Sequence, residues 1–217
     1  VDFTLERLLK VASASAQELS YRTLKENKNG KIIIGYDRRF LAEEMAEAMA
    51  SSIRGCGLEP IISEVPLPTP SCSWGVVEHK ALGSLIITAS HNPPHWLGLK
   101  IKGPFGGSVD EEFTRDVEKR LSAGGVSVPI EGKTERYDFR KEHLLGIRNK
   151  FDIAGIVEGL KSLGIKLIVD PMHGSASGCM GEILGVTKNE FFQEIRSERD
   201  FGFGGNSPEP LEVNLKL

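Results

Sequence analysis

The sequence predicts an α/β fold: mixed, largely parallel sheets with helices on both faces. Three observations carry that prediction. Short β-branched or aliphatic runs occur at residues 31–37, 60–65, 85–88 and 166–170. Segments with apolar residues at helical spacing fall between them. Gly- or Pro-bearing loops punctuate the alternation, which is the pattern of β-α units.

Taken in order, residues 2–19 place Phe3, Leu5, Leu8, Leu9, Ala12 and Ala16 on one helical stripe. A turn is expected at Asn27-Lys28-Asn29-Gly30. The run 31–37 reads as a strand buried on both sides. Leu41, Met45, Ala48, Met49 and Ile53 predict the next helix, closed by Gly55 and Gly57. A strand at 60–65 follows. Ser71 is the expected cap of a helix carrying Cys72, Trp74, Gly75 and Val76. The strand at 85–88 runs into Pro93-Pro94, where proline forbids continuation. Ser108-Val109-Asp110-Glu111 reads as a capping box for a helix with Phe113, Val117 and Leu121 on its apolar face.

Residues 122–135 are poor in large apolar side chains and rich in Gly, Ser and charge, as a linker is. Two domains are therefore expected, 1–134 and 135–217. In the second, Ile153, Ile156, Val157, Leu160 and Leu163 form a helix face closed by Gly164. The strand 166–170 leads into the loop Pro171-Met172-His173-Gly174-Ser175, and a short helix is expected near 177–184. Residues 199–210 hold too many Gly and Pro residues for regular structure. Glu43-Glu44 and Asp110-Glu111-Glu112 read as helix N-terminal charges, and His79, His143 and the run 136–142 as solvated faces.

Composition excludes several function classes. The chain has 217 residues, 27 Lys+Arg against 30 Asp+Glu, and a net charge of −3. A chain so near neutrality is not expected to bind nucleic acid generally. No apolar run reaches the ~18 residues of a membrane span, so no membrane partner is expected. Three cysteines, none in C-x-x-C spacing, predict reduced and mostly buried thiols in a cytoplasmic protein. The chain opens at Val1 inside a helical pattern and closes at Leu217 in an unfinished segment, so both ends are expected to be cuts in a longer protein.

The chemistry is expected at Thr88-Ala89-Ser90-His91-Asn92-Pro93-Pro94, which follows a buried strand. In open α/β sheets, ligands bind at the carboxyl ends of strands. Ser90 would stand on a tight turn there, with Thr88, His91 and Asn92 as polar neighbours. Lys100 is close enough in sequence to fold back as a cation or acid/base. Gly98, Gly103, Gly106 and Gly107 would let backbone approach a ligand. A rigid turn with no ligand explains the same residues. No G-x-S-x-G elbow supports a Ser–His hydrolase. Pro93-Pro94 breaks any helical pairing of His91 with His95 as zinc ligands. The loop after 31–37 is no G-x-G-x-x-G, so a dinucleotide site has no support.

Five motifs in order resemble the α-D-phosphohexomutase (phosphoglucomutase/phosphomannomutase) family. Thr88-Ala89-Ser90-His91-Asn92-Pro93 resembles its phosphoserine loop, T-[AG]-S-H-N-P. Gly35-Tyr36-Asp37-Arg38-Arg39 resembles G-Y-D-x-R, and Pro66-Leu67-Pro68-Thr69-Pro70 resembles P-x-P-T-P. Val169-Asp170-Pro171-Met172-His173-Gly174 is similar to the start of the family's second domain, and Asn206-Ser207-Pro208-Glu209-Pro210 to its N-P-E-P segment. The chain departs from the pattern at Leu97, where the family has Asn, and at Trp96, where Tyr is usual.

The resemblance implies a first family domain followed by an incomplete, similar second one. It implies interconversion of hexose 1-phosphate and hexose 6-phosphate, with glucose and/or mannose as the sugar. The route is a phosphoserine and a hexose 1,6-bisphosphate intermediate. Ser90 would carry the phosphoryl group, and its phosphate would ligate Mg²⁺. Lys100 would be the acid/base and His91 would support the loop. Arg39 and Asn92 would bind substrate or phosphate. The family's D-G-D-x-D-R metal loop is not among these residues. A second expectation follows from that: a non-catalytic fragment or sugar-phosphate-binding module that keeps the loop without the metal site.

Overall fold

The computed structural model describes residues 3–23 and 30–215. The turn expected at 27–30 lies outside the described residues except for Gly30. Five strands form one sheet in the order β4-β3-β1-β2-β5. They are β1 (Lys31–Tyr36), β2 (Glu59–Ser63), β3 (Gly83–Ile87), β4 (Leu99–Lys102) and β5 (Glu135–Tyr137). β1 pairs in parallel with β2 and β3, and β2 with β5; β4 runs antiparallel to β3 at the opposite edge.

Helices cover both faces because the central strands are apolar on both. On one face Ile32, Ile34 and Tyr36 of β1, with Leu85 and Ile87 of β3, pack against α1 (Leu5–Thr23), α2 (Ala42–Gly55) and α4 (Glu111–Ser122). On the other, Ile33 and Ile86 join Cys72 and Val76 of α3 (Thr69–Glu78) and Phe139 of α5 (Phe139–Arg148). The period of two along β1 thus feeds two separate cores. Gly35 sits where α3 comes nearest the sheet: a Cβ there would lie 2.3 Å from the Cys72 sulfur. Burial in that contact pushes the Cys72 thiol pKa up to about 12.

The expected helices and strands of the first half are present, with two different caps. Pro68 stands at the N-cap of α3, and Ser71 lies inside the helix with its hydroxyl 3.0 Å from His143 Nδ1. Asp110 caps α4 by accepting from the Phe113 amide at 2.8 Å, while Ser108 accepts from the Lys102 ammonium. A carboxylate one residue before the acidic first turn complements the helix dipole better than a hydroxyl three residues before it. Three of the four glycines expected to admit a ligand, Gly103, Gly106 and Gly107, instead make a tight turn after β4. Gly103 N donates to Gly107 O and Gly106 N to Gly103 O, and Gly106 takes a φ of 79°.

The expected boundary at 134/135 falls just before a strand of the first sheet. β5 extends that sheet beside β2, and Phe139 is fully buried in its second core. Residues 123–134 are a strap rather than a free tether. Arg54 of α2 donates to Ile130 O, Gly132 O and Thr134 Oγ1, and Gln17 of α1 donates to Ser127 Oγ. The run 136–142 is correspondingly not a solvated face. His79 sits 3.1 Å from the Glu142 carboxylate, and its ring packs edge-on against Tyr137 and Phe139.

Beyond α5, α6 (Ile153–Ser162) and α7 (Cys179–Leu184) accompany a two-stranded parallel sheet of β6 (Leu167–Val169) and β7 (Phe192–Glu194). α6 buries no residue, and Ile168 of β6 is 60% exposed. Residues 199–210 are irregular apart from a 3₁₀ turn at Phe203–Gly205. Among the described residues no helix is long and apolar enough to cross a membrane.

Phe139→Ala should lower unfolding stability by about 3–5 kcal/mol, the scale for deleting a buried ring. Urea denaturation followed by far-UV circular dichroism checks it. A loss below about 1 kcal/mol would place α5 outside the first core.

Candidate functional site

Strand ends determine where polar groups can gather. The loops leaving β1, β2 and β3 emerge at carboxyl ends on the same edge of the parallel sheet, the position at which α/β folds open crevices. A cleft of about 300 Å³ opens there. Its walls include Asp37 and Arg38 after β1, Thr69 at the start of α3, Ser90 and His91 after β3, and Lys100 of β4. The opposite wall comes from the second unit: Gly174 and Ser175 after β6, with Phe203 and Pro208.

Ser90 stands at the apex of its turn, exposed, with a φ of 57°. A left-handed serine costs roughly 1–2 kcal/mol, so the surroundings must hold it. They do so through hydrogen bonds. Ser90 N donates to Thr88 Oγ1 at 3.0 Å, and Asn92 N and Nδ2 both donate to Ala89 O. The larger contribution comes from Arg39, whose side chain is fully buried. Its Nη1 donates to Pro93 O at 2.7 Å and Trp96 O at 3.2 Å. Its Nη2 donates to Ser90 O at 2.9 Å and Asn92 O at 2.8 Å, and its Nε to Asp37 Oδ2 at 3.2 Å. Asp37 Oδ1 accepts from the Arg39 amide at 3.0 Å, closing the arrangement.

These contacts bear on the roles expected of Arg39 and Asn92. A guanidinium has five N–H donors, and all five of Arg39 are engaged within the protein. None remains for a phosphate, so Arg39 is the scaffold of the Ser90 turn. Asn92 spends one of its two Nδ2 hydrogens on Ala89 O to close the turn, which leaves the other and Oδ1 uncommitted among the described residues.

The other three residues come together as expected. Ser90, His91 and Lys100 share the cleft, and Lys100 is brought there by its antiparallel register opposite Ile86. Among the described residues the Lys100 ammonium has no hydrogen-bond or ion-pair partner. Gly98 belongs to the same device: its carbonyl accepts from Thr88 N, and a Cβ on it would sit 3.1 Å from Thr88 O. Leu97 packs against the first core, so an apolar anchor holds the loop where the family pattern has a polar residue.

Nothing in the residue pattern singles out Arg38 for a role of its own. Its Nη1 donates to Ser177 Oγ at 2.8 Å and Ser197 O at 2.7 Å, with His173 O at 3.4 Å. Burial pulls its pKa below the usual arginine value, and repulsion from Arg199 and Arg140 adds to the effect. The one available signal is a second arginine beside the one the motif requires. His173 is buried and turned inward, with Nδ1 3.2 Å from Glu198 O.

Electrostatically the cleft suits a dianion. Arg38 and Lys100 bring positive charge, the α3 N-terminus opens beside Thr69, and the Asp37 carboxylate is already engaged by Arg39. The same engagement bears on a metal. Mg²⁺ takes oxygen ligands, usually including carboxylates. Asp37 is the carboxylate lining the cleft, and both its oxygens accept from Arg39. Among the described residues no group of three or more His, Cys, Asp or Glu could hold a metal ion. These residues alone do not fit a Mg²⁺ site.

Known proteins are similar to this chain in sequence and fold. Residues 1–125 match the family model described as phosphoglucomutase/phosphomannomutase, alpha/beta/alpha domain I. A phosphoglucomutase/phosphomannomutase of Thermococcus kodakarensis is 28% identical over 188 residues, covering 85% of this chain and 40% of that protein. A phosphoglucosamine mutase of Prochlorococcus marinus is 30% identical over 154 residues, covering 70% of this chain and 33% of that protein. A crystal structure of a phosphomannomutase candidate from Thermus thermophilus superposes with a TM-score of 0.82 at 30% identity, covering 98% of this chain and 46% of its own. This chain spans less than half the length of the curated relatives it matches.

Arg39→Met should cost about 3–5 kcal/mol, the scale for removing one partner of a buried ion pair. Amide exchange at residues 88–97 should rise with it. A substitution that leaves both the denaturation midpoint and that protection unchanged would show that the turn holds itself.

Proposed function

The chain belongs to the phosphoglucomutase/phosphomannomutase family, and from that premise we propose that it is the phosphoryl-carrying part of a phosphohexomutase. The observation that carries the reading is a strained, exposed Ser90 held on a buried arginine in a positively charged cleft. The reaction is the interconversion of hexose 1-phosphate and hexose 6-phosphate, with glucose and/or mannose as the sugar. A hexose 1,6-bisphosphate is the intermediate.

In the first half, a hydroxyl oxygen of the sugar phosphate forms a bond to phosphorus as the bond from phosphorus to Ser90 Oγ breaks. The departing serine oxygen needs a proton, and the Lys100 ammonium supplies it. The proton shed by the attacking hydroxyl restores Lys100. In the second half, Ser90 Oγ bonds to the other phosphoryl group as its bond to the sugar oxygen breaks; the Lys100 ammonium protonates that departing oxygen and regains the proton that Ser90 sheds. Serine is a weak nucleophile, so a nearby base and fixed positive charge are what the step requires. The chain's own part is positional: Arg39 holds the turn, Arg38 and the α3 N-terminus hold positive potential, and His91 lines the approach.

Mg²⁺ would supply charge neutralisation on the transferring phosphoryl group. Apart from a Ser90 phosphate oxygen, its ligands would come from outside the described residues. A second reading is favoured by that observation: this chain by itself is a non-catalytic fragment or sugar-phosphate-binding module that keeps the Ser90 loop without the metal site.

Incubation with a hexose 1,6-bisphosphate, followed by intact-mass and peptide mapping, tests the assignment. One phosphoryl group should appear on Ser90, and Ser90→Ala should take up none. A phosphate on another residue of the Ser90→Ala variant, with turnover retained in a full-length protein, would overturn it. Lys100→Met in a full-length protein should lower kcat by about 10²-fold or more, the usual scale for a lost acid/base, with an unchanged circular dichroism spectrum. An unaltered kcat would make Lys100 an ordinary cleft lysine.

A further inference from the structure

Arg38 and Arg199 lie where the two units meet, and each donates to the other's segment. Arg38 Nη1 reaches Ser177 Oγ and Ser197 O in the second unit. Arg199 Nε donates back to Arg38 O at 3.2 Å, and its Nη2 lies 3.5 Å from Arg39 O. Aromatic contacts run in parallel. Phe201 meets Phe40 edge-on at 5.6 Å, Arg199 stacks over Phe201 at 4.9 Å, and Arg39 stacks over Phe203 at 5.0 Å. Among the described residues neither Arg38 nor Arg199 has a carboxylate at ion-pair distance. Their partners are neutral oxygens on the opposite segment.

Arg38 is half-buried, and burying a guanidinium without a counter-charge is unfavourable. Arginine nonetheless suits such a task because its rigid fork reaches several acceptors with one preorganised group. The arrangement links two things that catalysis must hold in register. Arg39, whose carbonyl accepts from Arg199, carries the Ser90 turn. Ser177, which accepts from Arg38, follows directly on the opposite wall and donates its own hydroxyl to Gly174 O at 2.9 Å.

We propose that Arg38 and Arg199 form a reciprocal clasp that fixes the Gly174–Ser175 wall relative to Ser90, making Arg38 a positioning residue for the bound sugar phosphate. The loss of either arginine frees the wall, while the Ser90 turn keeps its own support from Arg39. The effect on substrate rests on the phosphoryl-transfer reading; the effect on the wall does not.

The experiment uses the 217-residue chain with three variants, Arg38→Met, Arg199→Met and the double. Amide exchange by mass spectrometry should rise about tenfold or more at residues 172–178 and 196–203 in each single variant, with β1 and β3 unchanged. The double variant should exchange no faster than the worse single one, because both substitutions open one contact set. In phosphoryl uptake from a hexose 1,6-bisphosphate by Arg199→Met, whose arginine lies outside the cleft lining, the half-saturating concentration should rise about tenfold while the maximal rate stays within about threefold. That split separates a positioning role from general destabilisation, which would lower the active fraction and hence the maximal rate. Unchanged exchange at 172–178, or multiplicative effects in the double variant, would overturn the clasp. So would a lost maximal rate with an unchanged half-saturating concentration. Should the unsubstituted chain take up no phosphoryl group, the transfer reading fails and the exchange measurements still decide the clasp.

Discussion

The candidate site depends on one buried guanidinium. Arg39 comes from the loop after β1, yet four of its donors are aimed at carbonyls in the loop after β3. Those carbonyls curl around it because residues 88–97 cannot continue as a strand past Pro93 and have no ladder partners for their oxygens. A charge with no water around it requires full satisfaction, and a loop with unpaired carbonyls requires donors. Each meets the other's requirement. Ser90 takes its left-handed conformation as a result of this packing, and the loop presents its hydroxyl outward.

The sheet beneath makes the encounter possible. β1 and β3 are adjacent and parallel, so their carboxyl-end loops sit side by side although about fifty residues separate them in sequence. The antiparallel β4 then returns the chain along β3 and carries Lys100 to the same end. A parallel fourth strand would have required a crossover connection and left that position elsewhere. The second unit closes the cleft in the same manner, with Gly174 and Ser175 just after the short parallel strand β6.

Local features were legible in the sequence where local physics decides them. The stripe from Leu8 to Ala16, the continuous apolar strand 31–36 and the proline stop after Asn92 all form as their patterns predict. The clustering of Ser90, His91 and Lys100 was legible through the spacing of one loop and one returning segment. Arg39 was not: its five contacts are with backbone carbonyls and an aspartate, and backbone carbonyls leave no trace in residue identity. The pairing of β5 with the first sheet was illegible for a related reason. β5 is three residues long and begins with two charged ones, as suits an exposed sheet edge, so no hydrophobic pattern marks it. The strap before it is polar because it crosses the outside of α1 and α2, and that composition resembles a tether's. The cap of α4 falls on Asp110 rather than Ser108 because both are good capping types and residue identity alone does not choose between near neighbours.

The contact between Gly35 and Cys72 has a consequence for thiol chemistry. Alkylation proceeds through the thiolate, and Cys72 is both fully buried and held almost entirely as the thiol near neutral pH. Its sulfur fills the space that the missing side chain of Gly35 leaves open in the central strand. A reagent can therefore reach it only when α3 lifts from the sheet. Modification of Cys72 would clock the opening of the layer whose first turn borders the cleft, while the half-exposed Cys56 reports accessible surface in the same molecule.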